Sequence, residues 1–212
     1  TVIYNADIAA DANPADNADT TFFYVTDNEQ FARDLTQPIS NLSPANWSSG
    51  GADGEMAATD YLYMYETTVE NMGVYIGSDT DAGASIIGHL MEYNSATDTW
   101  DDIMTTSLIT IQAGDIDSWL DMTFPTPANI IHSSGTRKNV KAAIEFYYGG
   151  GELSIGYDPF VPVSFWGASW YMLSGQNANS WVSYTNWEDG GIAIRPNFHP
   201  LDVEEGNATS SE

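Results

Sequence analysis

Indole and amide side chains are concentrated in one stretch of the sequence, between residues 166 and 189. In carbohydrate-binding proteins an aromatic ring stacks on the apolar face of a sugar, while nearby amide and carboxylate groups bond its hydroxyls. The stretch therefore predicts a glycan-binding surface, although aromatic rings also fill cores and cover sheet edges. Trp181 and Trp187 are the strongest candidates because their surroundings are polar and loop-like. The predicted contacts are Trp181, Trp187, Trp166, Trp170, Asn186 and Asp189.

Paired acids in turn sequences suit a different chemistry. GSDTDAG places Asp79 and Asp81 two residues apart, and GDID repeats this spacing at Asp115 and Asp117. Hard cations such as calcium require several converging carboxylate and carbonyl oxygens. Asp79 and Asp81 are therefore the candidate ligands of a structural calcium, although a chain with 30 acidic residues also places acids two apart by chance.

Catalytic motifs are missing from the sequence. The three histidines, His89, His132 and His199, are scattered, and there is no cysteine to act as a nucleophile or thiolate ligand. No nucleophile elbow, HExxH motif or phosphate-binding glycine loop occurs. His89 alternates with apolar residues in a strand pattern, which is typical of a packing residue. We expect no enzymatic activity; a polysaccharide-degrading enzyme with two carboxylates across a cleft is the weaker alternative.

The charge balance restricts the partners. The chain has 5 Lys and Arg residues and 30 Asp and Glu residues, which gives a formal net charge of -25. Such a surface repels phosphate backbones and anionic lipid, so we expect neither nucleic acid nor membrane partners. It suits a secreted protein in salty water, where charges are screened. Arg137, Lys138 and Lys141 form a candidate basic patch for docking another copy or domain, and Arg195 is expected to form an internal ion pair.

The elements that must position these residues are short strands. Segments with apolar residues at every second position alternate with turn sequences such as those at 77–83, 94–102, 125–129 and 149–151. This pattern predicts an all-β protein, an antiparallel β-sandwich of jelly-roll type. The main helical candidate is 28–35, which could equally be a turn. The candidate strands are 21–25, 59–66, 71–76, 85–93, 107–113, 119–124, 140–148, 152–157, 164–173, 181–184 and 191–198.

Alternation also predicts which side chains point inward. The inward set should be Ala142, Ile144, Phe146 and Tyr148 in one strand, and Leu153, Ile155 and Tyr157 in the next. The three glycines at 149–151 predict that these two strands form a hairpin, with the final strand GIAIRPNF as its neighbour.

One combination of motifs carries a family resemblance. EFYYGGGELSIGYD, a Trp-rich stretch, GGIAIRPNF and an acidic linker follow one another, and HLMEYNSATDTWDDI and YLYMYETTVENMGVYIGSD lie upstream. This order resembles the jelly-roll modules of secreted and surface proteins of Bacteroidetes-type bacteria, which are cargo of type IX secretion. The resemblance spans roughly residues 61–198 and does not extend to the first sixty residues or to the cleaved sorting domain. It implies an extracellular module within a longer polypeptide.

Together these features predict three regions and one function. Residues 1–20 form an N-terminal loop or edge segment, 21–200 the sandwich, and 201–212 an acidic linker. The expected function is a non-catalytic extracellular binding or adhesion module that recognises polysaccharide through exposed aromatic rings. The alternative is a structural or spacer module of a bacterial surface assembly, which makes contacts with other copies or domains.

Overall fold

The protein is built almost entirely of β-strands. A computed structural model describes residues 2–5, 18–21, 24–25, 31–32, 38, 40–44, 52–63, 67–130, 138–159, 169–172, 181–183 and 191–200. In chain order the strands are β1 (Val2–Asn5), β2 (Ala18–Thr21), β3 (Tyr24–Val25), β4 (Phe31–Ala32), β5 (Ser40–Leu42), β6 (Glu55–Tyr63), β7 (Thr67–Ile76), β8 (Ser85–Asn94), β9 (Thr99–Thr105), β10 (Ile109–Thr110), β11 (Ser118–Ile130), β12 (Lys138–Tyr147), β13 (Ile155–Asp158), β14 (Ser169–Met172), β15 (Val182–Ser183), β16 (Gly191–Ile192) and β17 (Ile194–Pro200). Among these residues no helix is long and apolar enough to cross a membrane.

Two antiparallel sheets form a sandwich, which confirms the predicted fold class. The first sheet has the order β10-β8-β12-β6-β14-β15, with β9 also pairing β8. The second has the order β11-β7-β13-β16, with β17 beside β7 and β5 beside β13. The main strands alternate between the sheets along the chain, as in a jelly roll. Two separate two-stranded sheets pair β1 with β2 and β3 with β4.

The core lies between the two sheets and is closely packed. Alternate residues of each strand point into it, because successive side chains of a strand lie on opposite faces. The predicted inward sets of β12 and β13 are all members of this core, which confirms that part of the sequence analysis. Its largest fully buried apolar side chains are Phe146, Met72, Ile76, Ile86, Leu90, Ile111, Met122, Ile130, Ile144, Leu153 and Ile155.

The predicted hairpin between β12 and β13 is wrong. Strand β12 pairs with β6 and β8 in the first sheet, whereas β13 pairs with β5, β7 and β16 in the second. Gly149 and Gly150 take positive φ angles of 62° and 90°, so the chain turns there from one sheet to the other. Alternation shows that both strands face one core, but it does not distinguish neighbours in a sheet from strands facing each other across the sandwich. The predicted neighbour of β13 is confirmed, because Tyr157 pairs with Ile192.

Three local predictions also differ from the structure. The turn predicted over 94–102 ends at Asp98, after which β9 pairs with β8 despite its acidic residues. The turn predicted over 125–129 lies within β11, where Pro125 and Pro127 are accommodated because the register shifts between Thr123 and Ala128. Within the helical candidate 28–35, the described pair Phe31–Ala32 is the strand β4.

Candidate functional site

The outer face of the first sheet carries a second apolar layer. Met56, Ala58, Met91 and Ala143 are buried there, on the side of the sheet opposite the main core. Partly buried Trp100, Met172 and Trp181 pack against this cluster. Small residues explain how the layer forms, because Ala58 and Ala143 lie directly opposite each other in the register and leave room for indole rings. This face is therefore covered by aromatic side chains instead of meeting solvent directly.

Lys141 is buried beneath these rings. Its Nζ atom lies 4.1 Å from the ring centroid of Trp100 and 5.5 Å from that of Trp181, and its side chain is only 1% exposed. A lysine ammonium at such distances is attracted to the negative face of an indole ring, more strongly where water is excluded. One cation thus holds two indole rings on the same face of the sheet.

Asp60 supplies the counter-charge. It lies directly opposite Lys141 in the pairing of β6 with β12, and Lys141 Nζ donates a short hydrogen bond to Asp60 Oδ1. Burial lowers the pKa of the Lys141 ammonium to about 8, although the Asp60 carboxylate favours the charged form. The lysine is thus held by one carboxylate and two rings.

His89 forms a second charged group on the same face. Its Nδ1 atom lies 3.0 Å from Asp102 Oδ1, and its Nε2 atom lies 3.2 Å from Glu145 Oε2. Burial alone lowers the pKa of the imidazole, but the hydrogen bonds and charges of Asp102 and Glu145 outweigh it and raise the pKa to about 9. The hydrogen bond from His89 in turn lowers the pKa of Glu145. The predicted packing role of His89 is consistent with this arrangement, because both ring nitrogens have partners.

Tyr93 extends the aromatic surface at the β8–β9 hairpin. Its ring centroid lies 5.5 Å from that of Trp100 at an interplanar angle of 56°, and 38% of the residue is exposed. The Tyr93 hydroxyl donates a hydrogen bond of 2.6 Å to Asp98 Oδ1, which fixes the ring at its outer end. We call Tyr93, Trp100 and Trp181 the aromatic patch.

The predicted glycan contacts are only partly described. Trp181 belongs to the aromatic patch; its Nε1 atom is buried, and no described residue accepts its N–H. Trp170 lies in β14, whose backbone pairs it with Ala58 of β6. Trp166, Asn186, Trp187 and Asp189 lie outside the described residues. Of the predicted contacts, Trp181 therefore lies over the same lysine as Trp100. Neither Trp100 nor its neighbour Tyr93 was predicted from the sequence.

The sequence contained a signal for the missed residues. Tyr93 and Trp100 flank the acidic turn of HLMEYNSATDTWDDI, and they become opposite neighbours once that turn is recognised as a hairpin. Lys141 was assigned to a basic docking patch, and this assignment is wrong because its side chain is buried and paired with Asp60. The side chains of Arg137 and Lys138 lie outside the described residues.

The candidate calcium ligands lie in an exposed turn. Asp81 Oδ2 accepts the Glu152 backbone N–H at 2.9 Å, so this carboxylate links the turn to the segment before β13. Asp115 Oδ2 similarly accepts the Gln112 N–H at 2.7 Å. In the part of the chain that the structure describes, no three His, Asp or Glu side chains are grouped as metal ligands. A calcium ion at Asp79 and Asp81 stays a prediction.

The second sheet has a comparable cation and ring on its own outer face. Arg195 is buried, and its Cζ atom lies 3.9 Å from the ring centroid of Trp119. Trp119 packs edge-on against Tyr75 with ring centroids 5.6 Å apart. The predicted ion pair of Arg195 stays a prediction, while the stacking on Trp119 is an additional interaction that the sequence analysis did not include.

Comparisons with known proteins identify no family. No family model matches the chain, and no curated protein matches it. Among solved structures it is similar to the clostridial cysteine protease Cwp84 after propeptide cleavage, at 9% identity and a TM-score of 0.47, over 77% of this chain and 38% of that one. It is also similar to the cysteine protease and lectin-like domains of Cwp84, a surface layer associated protein of Clostridium difficile, at 8% identity and a TM-score of 0.45, over 70% of this chain and 33% of that one. The chain thus spans well under half the length of either structure, and neither assigns a role to any residue.

Proposed function

We propose that the protein is a non-catalytic extracellular recognition module that binds polysaccharide across the aromatic patch. The observation that carries this proposal is that Trp100 and Trp181 lie over one buried lysine, while the exposed ring of Tyr93 packs against Trp100. Sugar rings present apolar C–H faces that stack on such rings, and the surrounding hydroxyls need polar partners.

Fixed rings are suited to this task. A ligand that orders a mobile side chain loses part of its binding free energy in doing so, whereas a ring that is already held does not impose that cost. Lys141 holds two of the rings from below, and Asp98 holds Tyr93 through its hydroxyl.

The charged groups of this face favour binding over catalysis. A general base must have an atom free to take a proton from the substrate. Both nitrogens of His89 are occupied by Asp102 and Glu145, and the Lys141 amine is covered by indole rings. These groups therefore serve to build the surface on which a ligand would lie.

A glycan array tests the proposal directly. The native chain is compared with Trp100→Ala and Trp181→Ala at several salt and calcium concentrations, and Trp119→Ala serves as the control because it removes an indole from the other sheet. We expect binding to at least one polysaccharide that is lost in the first two variants and kept in the control. Failure of the native chain to bind any glycan, together with concentration-dependent self-association, would instead support the structural module.

Location and metal content belong to the same proposal. The acidic composition and the resemblance to type IX secretion cargo support a secreted or cell-surface location. A structural calcium at Asp79 and Asp81 would make the melting temperature fall on addition of a chelator, and an Asp81→Asn variant would reduce that response. An unchanged melting temperature would remove calcium from the proposal.

A further inference from the structure

The aromatic patch is surrounded by charges of one sign. On the outer face of the first sheet, the Lys141 side chain is 1% exposed and that of His89 is 11% exposed. Their carboxylate partners are more accessible, with the side chains of Asp102, Asp60 and Glu145 44%, 25% and 20% exposed. Each ion pair thus hides its cation and presents its anion, so the described surface beside the rings is negative.

The turn of the β8–β9 hairpin adds to this charge. Asp98 is exposed and bonded to the hydroxyl of Tyr93, at the outer end of the patch. The whole chain also carries a formal net charge of -25. A ligand that approaches the patch therefore meets a field that attracts cations and repels anions.

We propose that the aromatic patch selects glycans that carry free amino groups, the class represented by polymers of glucosamine. This inference rests on the proposed function and adds the chemical class of the ligand. A protonated sugar amine can make two favourable interactions at this site: a cation–π contact with an indole ring and an ionic attraction to Asp102 or Asp98. Uronic acid and sulfated polymers carry the opposite charge and are disfavoured.

The same chemistry explains why the lysine beneath the rings is covered. An exposed lysine at this position would repel an ammonium group, whereas Lys141 is neutralised by Asp60 and separated from the ligand by the rings themselves. Lys141 therefore makes its cation–π interactions with the inner faces of the Trp100 and Trp181 rings, and the outer surface of the patch stays negative.

Comparing two oligomers that differ only in acetylation shows how much of the affinity depends on the charge of the sugar amine and how much on the shape of the sugar chain. Binding of glucosamine oligomers and of N-acetylglucosamine oligomers of equal length is measured by calorimetry at mildly acidic pH, with galacturonate oligomers as the anionic probe. We expect the amine-bearing oligomer to bind about five- to thirtyfold more tightly than its acetylated counterpart. We also expect this preference to shrink as salt is raised, because exposed charges are screened.

Variants show whether the preference belongs to this patch. Asp102→Asn and Asp98→Asn each remove one negative charge, and asparagine tolerates the φ of 58° at position 98. Both variants should reduce the preference for the amine-bearing oligomer, whereas Glu152→Gln, an equal change of charge at an exposed position elsewhere, should leave that preference intact. Trp100→Ala should abolish binding of both oligomers.

The outcomes distinguish the two proposals. Equal binding of the acetylated and amine-bearing oligomers would overturn the selectivity and keep the glycan-binding function, as would tighter binding of the galacturonate oligomer. If Glu152→Gln reduced the preference as much as Asp102→Asn, the assignment to this patch would be overturned, since the effect would then come from net charge alone. Absence of binding to every oligomer and to the array would overturn both proposals.

Discussion

Lys141 Nζ lies 4.1 Å from the centroid of the Trp100 ring, in a position that is closed to solvent. The lysine stands on a strand whose other face is the main core, so both faces of β12 are buried at this point. Because its charge is paired with Asp60 across the strands, the layer outside the sheet depends on an ion pair as well as on apolar contact. This dependence gives the first prediction.

Replacing Lys141 by Met should destabilise the protein by roughly 2 kcal/mol, below the 3 to 5 kcal/mol of a fully buried pair, because Asp60 is partly exposed and can be hydrated. The aliphatic stem is kept, so the loss comes from the charge. Adding Asp60→Asn to Lys141→Met should restore most of the stability. Urea unfolding followed by circular dichroism measures the native chain, both single variants and the double variant, and additive losses in the double variant would contradict the coupling.

Protonated His89 should stabilise the protein, and this stabilisation should be lost at alkaline pH. Its folded pKa is about 9 against an ordinary value of 6.5, so between these values the folded state holds a proton that the unfolded state has lost. The stabilisation, roughly 3 kcal/mol by this difference, is full below about pH 6.5 and disappears as the pH rises through 9. Unfolding free energies measured across this range should fall in the native chain.

The control for this prediction is His89→Gln, because glutamine cannot take up the proton. The free energy of unfolding of this variant should not decline between pH 6.5 and about 8. Lys141 acts in the opposite direction at higher pH, because its folded pKa of about 8 lies below the ordinary value of 10.5. The unfolded state then binds the extra proton and stability rises with pH over that range. A decline that persists in His89→Gln would show that another group causes it.

The sequence predicted the side of the sheet that makes the core, but not the site on the other side. Alternation of Ala142, Ile144 and Phe146 with a set that includes Lys141 and Glu145 marks one buried face, and it predicts that Lys141 lies on the surface. Burial of Lys141 depends on the register that places Asp60 opposite it, and on indole rings brought from β9 and from the residue before β15. Such contacts between distant segments leave no periodic pattern in the sequence.

Glu55 should lower stability at neutral pH. It is fully buried, its Oε2 atom accepts a hydrogen bond of 3.2 Å from the Tyr148 hydroxyl, and no described residue pairs with its Oε1 atom. Burial raises its pKa above 4.5, although the bond from Tyr148 opposes this effect. The folded state therefore keeps the proton to higher pH than the unfolded state, and stability falls as the pH rises above 4.5.

Replacing Glu55 by Gln removes the charge and keeps the shape. We expect a higher melting temperature at pH 7 than in the native chain, and no difference near pH 4, where the native carboxyl is protonated. Glu152→Gln is the matched control, because this glutamate is exposed and should leave the melting temperature unchanged at both pH values. A lower melting temperature for Glu55→Gln at pH 7 would mean that the ionised carboxylate stabilises the fold.

One added methyl group at Gly88 should disturb the packing of the core. It lies on the inner face of β8, and a Cβ atom there would stand 2.7 Å from Met72 Sδ and 2.9 Å from Met122 Cε, both from the opposite sheet. Overpacking of a filled core costs about 1 to 3 kcal/mol, so Gly88→Ala should destabilise the protein by an amount in that range. Gly114→Ala is the control, since no heavy atom lies within 4 Å of its Cβ position and its φ is not positive. Because alanine restricts the unfolded chain, this control should be neutral or slightly stabilising in urea unfolding. Equal stabilities of the two variants would mean that the two methionines move aside at no cost and that the sheets are less closely packed than the structure indicates.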